Sequence, residues 1–227
     1  MKKAFTMIEL IFVIVVIGIL AAVIMPRTGS NKLQEAATQV LSHIRYAQHL
    51  AIVDDKFDPN DTNFKANPGY DATNDGKWYK EFWRIRFYTS NSSEIHYAVF
   101  TDKDREGNID TSTHTEPALD ALSGKYLYIG DIAGDLKNNE KMDLTKNYQI
   151  NSINTTCDTV GWREIFFDNL GRPYAASVST GTNPPYSNLL TANCDITMTS
   201  PEGNVTIRVH PETGYSCILN SAGTDCI

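Results

Sequence analysis

The sequence predicts an α+β fold in which one long N-terminal helix precedes an antiparallel β-sheet domain. Three observations carry this expectation. From Phe5 to Met25 the chain reads FTMIELIFVIVVIGILAAVIM, 21 residues in which Glu9 is the only charge. Between Leu33 and Ala51 apolar residues recur every three or four positions, the spacing of one buried helix face. Beyond Trp83 the apolar period falls to two, and Gly- and Pro-containing turn signals separate short alternating runs, the mark of half-buried strands.

The first run has the length for a membrane span, which needs about 20 residues at a rise of about 1.5 Å each. Lys2 and Lys3 precede it, so the N-terminus is expected in the cytoplasm and the C-terminal part outside. Ala21-Ala22 could imitate a secretory cleavage site, but such signals have a short apolar region. Here the run is long and opens with an acid. A carboxylate inside a membrane segment costs roughly 2.5–3.5 kcal/mol or more, so Glu9 reads as functional, with a partner to be named.

Pro26 is expected to kink or loosen the helix. Past Gly29 it resumes, with Leu33, Ala37, Val40, Leu41, Ile44, Ala47 and Ala51 as one stripe. A continuous helix from Phe5 to Val53 would be roughly 75 Å long. Residues 5–29 therefore form an apolar helix that spans the membrane or assembles, 30–54 an amphipathic helix, and 55–227 a β-rich domain.

Asp54 to Lys77 reads as a long loop. Trp83, Ile85 and Phe87 alternate with Arg84 and Arg86, and Ile95, Tyr97 and Val99 follow across a turn at Ser90–Ser93. Tyr126–Ile129 is a weaker strand candidate. Glu164–Phe167, Tyr174–Val178, Ile196–Met198, Val205–Val209 and Tyr215–Ile218 complete the set. Gly171-Arg172-Pro173, Pro201-Glu202-Gly203 and Pro211-Glu212-Thr213-Gly214 mark turns between them.

The chain has 227 residues and a net charge of −7, and the part after the helices, about 170 residues, suits one domain. An acidic surface is a poor general binder of nucleic-acid backbone. Cys157, Cys194, Cys217 and Cys226 all lie in the last third, and an even count in an exported domain suggests two disulfides. Three pairings are possible. Cys217–Cys226, closing a short loop, with Cys157–Cys194 as the second bond is the favoured one. Zinc is the alternative, disfavoured by the lack of a CxxC pair or suitably spaced histidine.

Lys3-Ala4-Phe5-Thr6-Met7-Ile8-Glu9-Leu10 closely resembles the class III signal of type IV pilins and type II secretion pseudopilins. The resemblance implies that residues 1–4 are a leader removed by a prepilin peptidase on the cytoplasmic side, between Ala4 and Phe5. Phe5 becomes the N-methylated first residue and the apolar helix is kept. Glu9 and Pro26 fall where the family has its acid and its proline, whereas Ala4 stands where the family usually has Gly. In the family the acid pairs with the charged N-terminus of a neighbouring subunit, which here implies Glu9 with the Phe5 amine. Ile165–Pro173, Val205–Gly214 and the helix segment around Arg45-Tyr46-Ala47-Gln48 are similar to GspH/FimT-type minor pseudopilins, although residues 55–80 and 101–160 are long insertions. The resemblance implies a pilin-like fold, a single-pass subunit of the bacterial inner membrane with a periplasmic domain, and partners in other pilins or pseudopilins, the peptidase and the assembly platform. A minor pilin of a type IV pilus or DNA-uptake apparatus is the neighbouring possibility; the acidic net charge disfavours it as a direct DNA binder, although a local Arg84/Arg86 face could exist. A membrane-tethered calcium-binding or adhesive module is a third, which leaves Glu9 without a use.

Asp102-Lys103-Asp104-Arg105-Glu106-Gly107-Asn108-Ile109-Asp110 resembles an EF-hand-like calcium loop, with Asp102, Asp104, Glu106 and Asp110 at positions 1, 3, 5 and 9 and Gly107 at 6. Thr113 stands where a bidentate Glu is expected, and Glu116 lies too far along in that register. The alternative is a solvated acidic hairpin loop. Asp71, Asn74 and Asp75 before Gly76 read as a plain turn. His43, His49, His96, His114 and His210 show no metal-ligand spacing, and no nucleophile motif or phosphate-binding loop is present, so an enzyme is not expected. Trp78, Tyr79, Phe82 and Trp83 read as core packing before an interaction patch.

Overall fold

The computed structural model describes residues 6–24, 31–58, 77–89, 94–110, 114–129, 138–157, 163–175 and 188–227. The chain divides into two units, residues 1–31 and 32–227. The first holds α1, Met7–Ile24, 18 residues long. At 1.5 Å per residue it rises about 27 Å, just short of a hydrocarbon core of about 30 Å. Among the described residues no helix is long and apolar enough to cross a membrane.

The second unit begins with α2, Lys32–Val53. The expected stripe is buried, with Ala36 added to it. Four of the eight buried residues are alanines, which let the helix backbone approach the strands closely. Leu33, Val40, Leu41 and Ile44 supply most of the apolar area, at roughly 1.5–3 kcal/mol for each fully buried large side chain.

Among the described residues eight strands make two four-stranded antiparallel sheets. β1 (Trp83–Thr89), β2 (Ile95–Phe100), β4 (Arg163–Phe167) and β5 (Pro173–Ala175) run in the order β2-β1-β4-β5. β3 (Ser152–Thr155), β6 (Cys194–Ser200), β7 (Gly203–Val209) and β8 (Ser216–Ile218) run in the order β3-β6-β7-β8. Ile85 sits between Val99 and Ile165, and Phe87 opposite Tyr97. With Phe167 these residues face α2 in one core that continues through Ile196, Met198, Val205, Ile207 and Val209 of the other sheet. One helix thus covers both sheets.

Two differences from the expected strands have local causes. Tyr126–Ile129 forms only an isolated bridge, Leu119 to Tyr126; Leu127 O accepts from Val99 N and Leu127 N donates to Ala118 O, which splits its bonds between two partners. β3 and a short helix α3, Leu144–Tyr148, arise where no periodicity is long enough to read. Asp143 caps α3 by accepting from Lys146 N at 2.8 Å. Disulfides join Cys157 to Cys194 and Cys217 to Cys226, closing separations of 37 and 9 residues; by chain entropy the longer one contributes about 4 kcal/mol.

Candidate functional site

Two places concentrate unusual chemistry: the start of α1 and the layer on the far face of the first sheet. At the first, Thr6 is the N-cap residue. Thr6 N and Oγ1 donate to Glu9 Oε2 at 2.9 and 2.8 Å, and Glu9 N donates to Thr6 Oγ1 at 3.4 Å. This is a reciprocal capping box, in which acid and hydroxyl each satisfy a helix-end N–H. Glu9 therefore has a local partner in Thr6. From Met7 to Leu20 the large apolar side chains are exposed on every side of the helix, from Val16 at 37% to Met7 at 85%. Water gives such a helix no face to prefer, so it demands a lipid or protein surround. Ala4, Phe5 and Pro26 lie outside the described residues, as do Asp71, Asn74, Asp75 and Thr113.

The second place corrects an expectation. Alternation puts Arg84 and Arg86 on the face of β1 opposite α2, where an exposed basic surface would lie if the sheet were one layer thick. They are 0% and 1% exposed. A 3-10 turn at Trp78–Glu81 and the loop 101–110 cover them. Arg86 Nε donates to Glu164 Oε2 at 2.7 Å and Nη1 to Gly107 O at 2.8 Å. Nη2 lies beside the same Glu164 oxygen without the alignment of a further hydrogen bond. Arg84 donates to Phe82 O and Lys80 O and stacks over Phe100 and Phe166. Trp78, Tyr79 and Phe82 join Phe166 and Tyr174 in a small core, while Trp83 Nε1 donates to Asp54.

The acidic loop closes over this layer. Asp102 is buried and accepts from Gly107 N at 2.9 Å through Oδ2, the bond that holds position 6 to position 1. Gly107 has φ +92°, and Arg105 at +62° is left-handed as well. Burial pushes the Asp102 carboxyl up to about 6, against the pull of Arg84. The structure then departs from the expected ligand set. Carboxylate oxygens of Asp102, Asp104 and Glu116 lie within 4.8 Å of one another; Glu106 and Asp110 do not belong to this group. Phe100 bridges to Pro117, so the returning chain sets Glu116 beside the start of the loop. Glu116 Oε1 accepts from Lys103 N and Asp104 N, and Oε2 from Asp110 N. The register count that placed Glu116 too far along followed the chain, not the space it folds back through.

Under α2 a third network was not visible in the sequence. Gln39 Nε2 donates to Tyr97 Oη at 2.7 Å and to Lys141 O at 2.9 Å, and Gln39 Oε1 accepts from Tyr148 Oη at 2.6 Å. The Tyr97 proton is then directed at His43 Nδ1, 2.7 Å away. Burial lowers the His43 pKa to about 4.

The segment Arg45–Gln48 ties the helix to both sheets. Arg45 Nη2 donates to Ser216 O and Tyr46 Oη to Leu119 O. Gln48 Nε2 donates to Gly171 O and to Thr213 O, both at 2.9 Å. The β4–β5 turn and the β7–β8 turn therefore meet at one side chain. Asp168 organises the first turn, with Oδ1 accepting from Leu170 N and Arg172 N and Oδ2 from Arg172 Nε and Tyr174 Oη. The chain matches no family model, and its comparison with curated proteins and with solved structures gives no significant match.

Proposed function

We propose that this chain is a non-catalytic filament subunit, a minor pseudopilin of a type II secretion-like system, cut by a prepilin peptidase before Phe5. The observation that carries the reading is α1: apolar and exposed around its whole circumference, with one acid held at its N-terminal end. In the bacterial inner membrane this helix anchors the subunit while residues 55–227 occupy the periplasm. Assembly with other pilins or pseudopilins on the membrane platform then moves the helix from lipid into a helix bundle, where packing dominates. Glu9 pairs there with the Phe5 amine of a neighbour, because a carboxylate left unpaired in low dielectric is expensive. The capping box supports this role, since it keeps the carboxylate at the end of the helix. Arg84 and Arg86 are buried, so they offer no basic face to the pilus or DNA-uptake reading.

Expression with and without a prepilin peptidase, followed by intact-mass analysis, tests the processing step. The expected product lacks residues 1–4 and carries one methyl group on Phe5. A product that retains Met1, or that is cut after Ala22, would contradict the reading.

A further inference from the structure

The acidic loop holds a feature that its own hydrogen bonding does not explain. Asp102 is 0% exposed, and its Oδ1 atom has no hydrogen-bond partner. Its other oxygen takes the Gly107 N–H and faces Arg84 Nη2 at 3.8 Å. A buried carboxylate oxygen left without a partner is costly, and native structures fill such a place with a water or an ion. Carboxylate oxygens of Asp104 and Glu116 lie within 4.8 Å of the Asp102 carboxylate.

We infer that Asp102, Asp104 and Glu116 form a calcium site, with Glu116 in the place that an acid at the twelfth loop position would take. Their oxygens lie within 4.8 Å of one another, a separation that ligands 2.3–2.6 Å from one shared ion can reach. Each carboxylate has about four acceptor positions. Glu116 uses three of them on Lys103, Asp104 and Asp110 N–H groups, and Asp104 Oδ1 uses one on Glu106 N, so both keep capacity for a metal. A depression beside the group is lined by Asp104, Glu106, Asn108, Ile109 and Asp110. Water entering through it completes the shell. The donor set is oxygen alone, which selects a hard cation over zinc or copper. Calcium is favoured over magnesium because these carboxylates are already fixed by the loop backbone, whereas magnesium demands near-ideal octahedral geometry and keeps its waters. The site is independent of the filament reading.

The full-length chain in detergent, stripped with a chelator, is titrated with calcium chloride by calorimetry and by thermal unfolding. One ion per chain is expected, with saturation in the range up to ~1 mM typical of extracellular modules and a melting temperature that rises with calcium. Asp104 is exposed, so Asp104→Asn folds and is expected to bind at least ~10-fold more weakly. Glu116→Gln is expected to do the same if its loop still closes. Absence of both heat and melting shift at ~10 mM calcium would overturn the site, as would unaltered binding by Asp104→Asn. An equal response to magnesium chloride would overturn the assignment to calcium.

Discussion

Replacing Glu164 by Gln removes one charge from the covered face of the first sheet and leaves the shape almost unchanged. The side chains of Arg86 and Glu164 are 1% and 0% exposed. Two unit charges about 4 Å apart attract by roughly 4 kcal/mol at an effective dielectric near 20. The variant keeps an amide oxygen for Arg86 Nε but leaves the guanidinium without its countercharge, under Phe100 and Tyr88 rings 5.3 and 5.9 Å away. Breaking a buried pair from one side costs about 3–5 kcal/mol, a large part of a total stability of about 5–15 kcal/mol. Urea unfolding of the full chain in detergent, with the slope checked for constancy, measures the loss. The double variant Arg86→Met/Glu164→Leu should regain most of it, because apolar replacement of a buried pair is often neutral or stabilising. A loss below about 1 kcal/mol for Glu164→Gln, or a double variant no better than the single, would refute the account of this layer.

Gly214→Ala should cost about 2–4 kcal/mol, since a Cβ there meets Gln48 Nε2 and Gly171 O at 2.5 Å on a backbone at φ +65°. Gly223→Ala, at φ +73° with open space around it, should cost only the conformational part, about 1–2 kcal/mol, and equal losses at the two positions would remove the packing argument. His43 stays neutral in the fold down to a pKa of about 4, against 6.5 when unfolded. Acid therefore binds the unfolded chain first, and stability should fall by up to ~3 kcal/mol as pH drops from 6.5 to 4. His43→Asn, which offers Tyr97 an acceptor that does not titrate, should flatten that part of the pH–stability curve; an unchanged slope would show that His43 is not its source.

The elements legible in the sequence are those whose burial is one-sided and local. The α2 stripe from Leu33 to Ala51 and the alternation in β1, β2, β6 and β7 each report a single core face. For Arg84 and Arg86, alternation identifies the face away from α2 but not that a second layer covers it. That layer is built from residues 78–81 and 101–110, whose irregular backbone leaves no period to detect. The approach of Glu116 to Asp102 depends on a chain reversal and not on spacing, so no register count along the chain finds it. The capping box at Thr6 and Glu9 has a sequence signature of its own, a Thr three residues before a Glu at the head of an apolar run.

One substitution separates the capping contact of Glu9 with Thr6 from the charge pairing proposed for it. Glu9→Gln preserves the acceptor for Thr6, because the capping box accepts either residue, and removes the charge that would pair with the Phe5 amine. Its incorporation into filaments, measured as the fraction of processed subunit recovered with the assembled fibre, tests the assembly mechanism directly. The account predicts normal cleavage and membrane insertion with incorporation reduced at least ~10-fold, as an unpaired buried charge demands. Incorporation at the wild-type level would reduce Glu9 to a helix cap and contradict the charge-paired filament.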